Sequence, residues 1–181
     1  MRIDYTLSRN DFIEFQLFTA SNSETIKKSR RRSRTRIPII YFILGLILFI
    51  SGSIVLGLVF IGIGIAWYFL YPVYLKRRYV RHFERHADEH LKNRFGKQVT
   101  LNFGDEFIDT TDYIGESKLR TSEITEINEI SNYFFIKFSS GESLIIPKPV
   151  IQQNNEFTQW LLDQVEKLKI NHNTDLNWKW R

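Results

Sequence analysis

From Ile37 to Leu75 the chain carries no charged side chain. The stretch opens IPIIYFILGLILFI and closes IAWYFLYPVYL, and Ser51-Gly52-Ser53 is its one strongly polar break. A bilayer core about 30 Å thick is crossed by roughly 20 apolar helical residues, and this stretch is about twice that. As one helix it would span nearly 60 Å at about 1.5 Å per residue, too long for a membrane. It therefore predicts two transmembrane helices, residues 37–52 and 54–75, joined by a minimal turn. A buried core hairpin in a soluble protein is the competing reading and is set aside.

The flanks orient the pair. Lys27, Lys28, Arg30, Arg31, Arg32, Arg34 and Arg36 precede it, and Lys76, Arg77, Arg78 and Arg81 follow it. Basic residues close to a span stay on the cytoplasmic side. Only a hairpin with both termini in the cytoplasm satisfies both flanks. The same residues can contact anionic lipid headgroups, and Arg34 and Arg36 are expected to snorkel towards them because the first span is short. Tyr41, Trp67, Tyr68, Tyr71 and Tyr74 suit an interfacial aromatic belt. Gly45, Gly57, Gly62, Gly64 and Ala66 would let helices approach closely, within one chain or between two copies in a homo-oligomer.

This arrangement changes how the charge is read. The net charge is +5, yet between Gln98 and Glu166 acidic residues outnumber basic ones twelve to four. The positive charge is concentrated around the spans, so nucleic acid is not an expected partner. With no cysteine, disulfide and thiol chemistry are excluded, in keeping with soluble parts in a reducing cytoplasm. Nothing apolar enough for a cleavable signal precedes residue 37. SRRRSRTR has a faint likeness to a twin-arginine signal, but the apolar run behind it is too long.

Arg2 to Leu7 alternates, with Ile3, Tyr5 and Leu7 on one side, which predicts a half-buried strand. Asp11 to Ala20 reads as a helix capped by Ser8, although Ile13, Phe15 and Leu17 also alternate. Residues 1–20 thus form a strand and a helix. Residues 21–36 read as a basic linker. Residues 76–96 read as a juxtamembrane helix closed by Gly96. On that helix His82, His86 and His90 recur one turn apart, with Glu89 on the same side. Imidazoles so spaced can share a divalent metal or act as a pH sensor. The pattern is not HExxH, and an ordinary polar face is the simpler account, so no metal is expected.

At Gln98 the period changes to that of strands. QVTLNF, EFIDTT, YIGESKLR, TSEITEINEI, YFFIKF and SLIIP predict six short strands with turns between them. Asn154 or Asn155 then caps a helix running to about Ile170, with Phe157, Trp160, Leu161, Val165 and Leu168 on one face. Residues 171–181 are expected to be a flexible tail, although Trp178-Lys179-Trp180-Arg181 also has the composition of a membrane-surface segment. The fold class is membrane α+β: a two-helix transmembrane hairpin, then a small antiparallel β domain over residues 97–170 with a C-terminal helix. That layout is pleckstrin-homology-like. The N-terminal strand is expected to join this sheet, since its three apolar residues have no other place of burial.

The order of these parts, with YFFIKF at Tyr133–Phe138 and SLIIPK at Ser143–Lys148, resembles the bacterial YcxB-like membrane proteins. The resemblance implies a pleckstrin-homology-like cytoplasmic domain on a bacterial inner-membrane anchor, of uncharacterised role, and it names no catalytic residue. The residues agree: no GxSxG, phosphate-binding glycine loop or Gly-x-Gly-x-x-Gly is present. Asp105, Glu106, Asp109 and Asp112 gather near early strand turns and read as solvated acids. Phosphoinositide recognition needs converging cations, and the first two strands of the domain offer only Lys97. The expected function is therefore a non-catalytic, membrane-anchored scaffold without cofactor, with a protein partner docking on an edge strand. The alternative is a small transport or metal- or pH-sensing component using the histidines, but the spans lack the ionisable groups that mark ion pathways.

Overall fold

The computed structural model describes residues 1–151 and 155–180. The chain divides into two compact units, Met1–Phe15 with Glu84–Lys179, and Gln16–Phe83 with Trp180.

The first unit holds two four-stranded sheets and one helix against them. One sheet has the order β1-β2-β3-β4 and is antiparallel throughout, from β1 (Arg2–Thr6), β2 (Gln98–Phe103), β3 (Phe107–Thr111) and β4 (Glu116–Arg120). The expected N-terminal strand is β1, and it does join the domain: Ile3 pairs with Leu101 and Tyr5 with Val99. The second sheet has the order β7-β6-β5-β8, from β5 (Ile124–Ile130), β6 (Tyr133–Phe138), β7 (Ser143–Pro147) and β8 (Asn171–Asp175). The six strands expected after residue 97 are thus present. YIGESKLR is extended only from Glu116.

Alternation sorts the side chains. Ile3, Tyr5, Leu101, Phe103 and Ile108 from the first sheet meet Ile127, Ile136, Phe138 and Ile146 from the second in one core. Ile124 and Ile127 both reach that core, although strand period would put them on opposite faces. A register irregularity between Ile124 and Glu126 resolves this, since an extra residue reverses the alternation. YFFIKF is apolar on both faces for a local reason. Phe134, Ile136 and Phe138 point into the core, while Phe135 packs on Phe15 with ring centroids 5.2 Å apart. Phe15 lies on α1 (Arg9–Asn22), so this ambiguous segment is helical, as expected. The helix of β-domain residues, α4 (Asn155–Leu168), buries Phe157 and Leu161, with Trp160, Val165 and Leu168 partly buried on the same core. Its Trp160 indole donates to the Gly104 carbonyl at 3.1 Å.

Several boundaries differ from the sequence reading. Asn155 is the first helical residue rather than a cap, and Asn154 lies outside the described residues. α4 ends at Leu168, where Lys169 takes a left-handed φ of 53°, rather than continuing to Ile170. The tail over residues 171–181 is not all tail: β8 pairs parallel with β5, Glu126 opposite Asn171 through Ile130 opposite Asp175. Its polar sequence has no strand pattern. The pairing is held by the open edge of β5 and by side chains across it: Asn173 Nδ2 donates to Glu126 at 2.8 Å and to Asn128 at 3.2 Å.

The second unit contains α2 (Glu24–Ile50) and most of α3 (Ile54–His86). Both are long and apolar enough to cross a membrane. The basic stretch at 21–36 is not a linker: Ser21 and Asn22 end α1, and residues 24–36 are the first turns of α2. Ser23 caps it, Glu24 sits favourably in its first turn, and Lys and Arg are good helix formers. Over residues 76–96 the second helix continues as expected, but it does not reach Gly96. α3 runs without a break to His86, a π-helical turn covers Ala87–Leu91, and turns follow to Gly96.

The Ser51–Ser53 turn is a Schellman motif. The Ser53 amide donates to Leu48 O at 3.0 Å, the Gly52 amide to Phe49 O at 3.2 Å, and Gly52 has φ +89°. The glycines divide by role. A Cβ on Gly57 would stand 2.7 Å from Gly45 O, one on Gly45 would stand 2.8 Å from Gly57 O, and one on Gly64 would stand 3.3 Å from Pro38 O. These three form the seam between the two helices of one chain, whereas a Cβ on Gly62 would meet nothing within 4 Å. Gly57→Ile is therefore expected to force the helices apart at a cost of about 1–3 kcal/mol. The cysteine-free chain allows a direct check: Cys pairs at Tyr41 and Phe60, whose rings lie 6.0 Å apart, should crosslink less in the variant. Gly62→Ile should crosslink as the parent does.

Candidate binding cleft

Within the first unit a cavity of about 350 Å³ opens between the two sheets. β1 and the residue after it bring Tyr5 and Leu7, and β2 brings Val99 and Leu101. The far wall is Leu144 and Ile145 of β7, with Leu119 and Ser117 of β4 at the side. β4 and β7 are the end strands of their sheets, so the cleft lies where the two sheets stop pairing. Phe12 and Phe15 of α1, with Leu91 and Phe95, close the remaining side.

α1 is fixed there by polar contacts at its start. Ser8 and Asp11 cap the helix reciprocally: the Ser8 amide donates to Asp11 at 2.7 Å, and the Asp11 amide donates to Ser8 Oγ at 3.2 Å. The Tyr133 hydroxyl donates to the other Asp11 oxygen at 2.7 Å. Burial, reinforced by Asp11, pushes the Tyr133 phenol well above its ordinary value. Arg9 grips Asp88 through two bonds of 2.8 Å and reaches Glu84 at 3.3 Å. The Arg9 hydrogen bonds hold the Asp88 carboxyl below its usual value.

The mouth of the cleft is charged. Arg94 donates to Asp112 at 2.9 Å, and the other Asp112 oxygen accepts from the Ile114 amide at 2.8 Å and the Gly115 amide at 3.2 Å. Burial opposes ionisation of Asp112, but the Ile114 amide, Arg94 and the Gly115 amide outweigh it and hold the carboxyl below its ordinary value. A depressed carboxyl contributes stability above its unfolded value near 4 and loses it as pH falls through the folded value. Asp112→Ala should therefore speed amide exchange at Ile114 and Gly115 at neutral pH. The parent should approach the variant's rates below about pH 4. Equal rates at pH 7 would show that the carboxylate does not order this turn.

The residues singled out in the sequence fare differently. Of the acid group Asp105, Glu106, Asp109 and Asp112, only Asp112 reaches the cleft, and Asp109 faces Lys118 at 3.4 Å. The histidines are not assembled into a ligand set. His86 and His90 stack with centroids 4.7 Å apart, and His86 also stacks with Phe12 at 6.2 Å. Among the described residues, no group of three or more His, Asp or Glu side chains is placed to hold a metal. Of the basic residues flanking the uncharged stretch, Arg34 lies 4.5 Å over the Tyr68 ring and Arg30 lies 4.5 Å over Trp180, which also meets Tyr79. Arg31, Arg32, Arg36, Lys76, Arg77 and Arg78 make no ion pair among the described residues. Sequence reasoning missed Phe12, Arg94 and Tyr113 because each belongs to a different element. Only the placement of α1 and of the turn after β3 brings them to one mouth.

These features define an α+β protein in which two long apolar helices interrupt a two-sheet domain after its first strand. Residues 103–161 match the family model of the YcxB-like proteins. The match runs from the last residue of β2 through β7 into α4, and so covers the strands that carry YFFIKF and SLIIPK. No curated protein and no solved structure matches the chain.

Proposed function

We propose that the chain is a non-catalytic interaction module of pleckstrin-homology-like design, held at the bacterial inner membrane by a two-span hairpin with both termini in the cytoplasm. The apolar surface of the helices supports the anchor. Ile50 and Val55, beside the turn, are 77% and 75% exposed, and a bilayer is the solvent that would cover them. Arg30, Arg31, Arg32, Arg34 and Arg36 before the spans, and Lys76, Arg77 and Arg78 after them, support the orientation and contact with anionic headgroups. Two sheets with strands β1–β4 and β5–β7, closed by α4, support the fold class. β8 is an addition to it.

The observation that carries the interaction role is the open edge of β4. Among the described residues this strand pairs with β3 alone, and most of its residues are exposed. A partner strand adding there would satisfy unpaired backbone groups and continue the sheet. A non-catalytic role fits the charged groups of the mouth, since Asp112 is already committed to Arg94 and two amides.

The test is crosslinking capture from native membranes with the full chain and with Lys118→Glu/Arg120→Glu, which reverses charge along the edge without touching the core. A specific protein held by the parent and lost by the variant supports the reading. The same capture by both moves the contact away from β4.

A further inference from the structure

The cavity behind β4 differs in chemistry between its interior and its mouth. Leu7, Phe15, Val99, Leu101 and Leu144 make the walls mainly apolar, with Tyr5, Thr110 and Ser117 as polar side chains among them. A polypeptide placed there would bury more amide and carbonyl groups than these few side chains can pair, which is unfavourable, whereas a hydrocarbon chain has none to satisfy. The volume of about 350 Å³ lies near the lower end of the roughly 300–1,000 Å³ typical of ligand sites, room for one chain rather than two.

At the mouth stand two cations and two carboxylates. Arg94 and Asp112 neutralise each other, and Glu142 accepts from Ser140 Oγ at 3.3 Å. Lys97 makes no ion pair among the described residues, and its ammonium lies 5.5 Å from the Tyr113 ring centre. Tyr113 and Ile114, on the same turn, are 60% and 68% exposed. A lysine beside an exposed tyrosine and isoleucine has the make-up of a lipid–water interface.

We infer that this cavity takes the acyl chain of a single-chain anionic amphiphile, a fatty acid or a lysophospholipid, with its carboxylate or phosphate on Lys97. The hydrocarbon displaces water from the apolar walls, and the head remains in solvent at the ammonium. Affinity should rise about fourfold per methylene until the chain fills the cavity, then level off. The inference stands apart from partner docking: Lys118→Glu/Arg120→Glu, which alters only the outer edge, should bind the amphiphile as the parent does.

The experiment uses the full chain in phosphatidylcholine nanodiscs with two photoreactive probes, a diazirine-bearing fatty acid and a diazirine-bearing lysophosphatidylglycerol. Adducts are mapped by peptide after illumination. Labelling is expected on peptides holding Phe12–Phe15, Val99–Leu101 or Leu119. It should fall at least tenfold in Leu119→Trp, which fills the cavity, and severalfold in Lys97→Glu. Because Lys97 is outside the core, its variant decides the matter if the tryptophan variant does not fold. Labelling by one probe alone identifies the head that Lys97 accepts. Adducts confined to residues 37–75, or labelling undiminished by Lys97→Glu, would overturn the inference.

Discussion

Replacing Phe157 by alanine is expected to destabilise the β-rich unit by about 3–5 kcal/mol, the usual loss for a fully buried aromatic ring. Phe157 has no exposed surface, and its ring meets Phe103 at 5.6 Å, Phe134 at 5.5 Å and Trp160 at 6.3 Å. It is thus the point at which α4 joins strands from both sheets, and its loss leaves a cavity that neither sheet can close alone. Since a domain is stable by only about 5–15 kcal/mol, the variant should lie close to unfolding at room temperature. Urea titration of the full chain in nanodiscs, followed by the fluorescence of Trp160, measures this. Leu162→Ala, at a site 50% exposed on the same helix, should change the midpoint by less than about 0.5 kcal/mol. A Phe157→Ala loss below 1 kcal/mol (an estimate far under the range for buried rings) would mean that α4 does not hold the sheets together.

A comparable loss is expected at the other end of the chain. Ile3 is 4% exposed and pairs with Leu101, which is fully buried. An aspartate there puts an unpaired charge into the core, and breaking a buried pair, which likewise leaves an uncompensated charge, costs about 3–5 kcal/mol. The chain can lower that cost by releasing β1 from β2. Ile3→Asp should therefore cut protection of the β2 amides from Val99 to Phe103 and open residues 1–7 to protease. Asp4 already carries a carboxylate on the outer face, where Arg2 and Thr100 bind it, so Asp4→Asn should leave exchange in β2 nearly unchanged. If Ile3→Asp leaves β2 protected, the sheet is stable from three strands and β1 is an accessory.

Much of this protein is legible in its sequence because the signals are periodic and local. The uncharged run from Ile37 to Leu75 excludes any arrangement but two apolar helices, and Ser51-Gly52-Ser53 supplies both polar side chains and the one residue that tolerates the left-handed turn. Alternation in QVTLNF, YFFIKF and SLIIP identifies strands and their core faces, since side chains on a strand can point only two ways. The apolar stripe Phe157, Leu161, Leu168 does the same for α4. Even the joining of β1 follows from elementary chemistry, because Ile3, Tyr5 and Leu7 need a core.

What the sequence leaves open depends on neighbours distant along the chain. NHNTD becomes β8 only because β5 presents an unpaired edge with Glu126, Asn128 and Glu129 to receive its side chains. The basic residues after Ser23 are helical because a cap on one side and an apolar helix on the other favour continuation, and charge by itself selects neither helix nor linker. The histidines recur at helical spacing, but a shared helix face places rings one above another without aiming their nitrogens at one point, and Phe12 stacks with His86. The cleft is the clearest case. Its walls come from β1, α1, β2, β4 and β7, and its volume is the gap left where β4 and β7 fail to pair. A gap is a property of how sheets end against each other, and no residue encodes it singly.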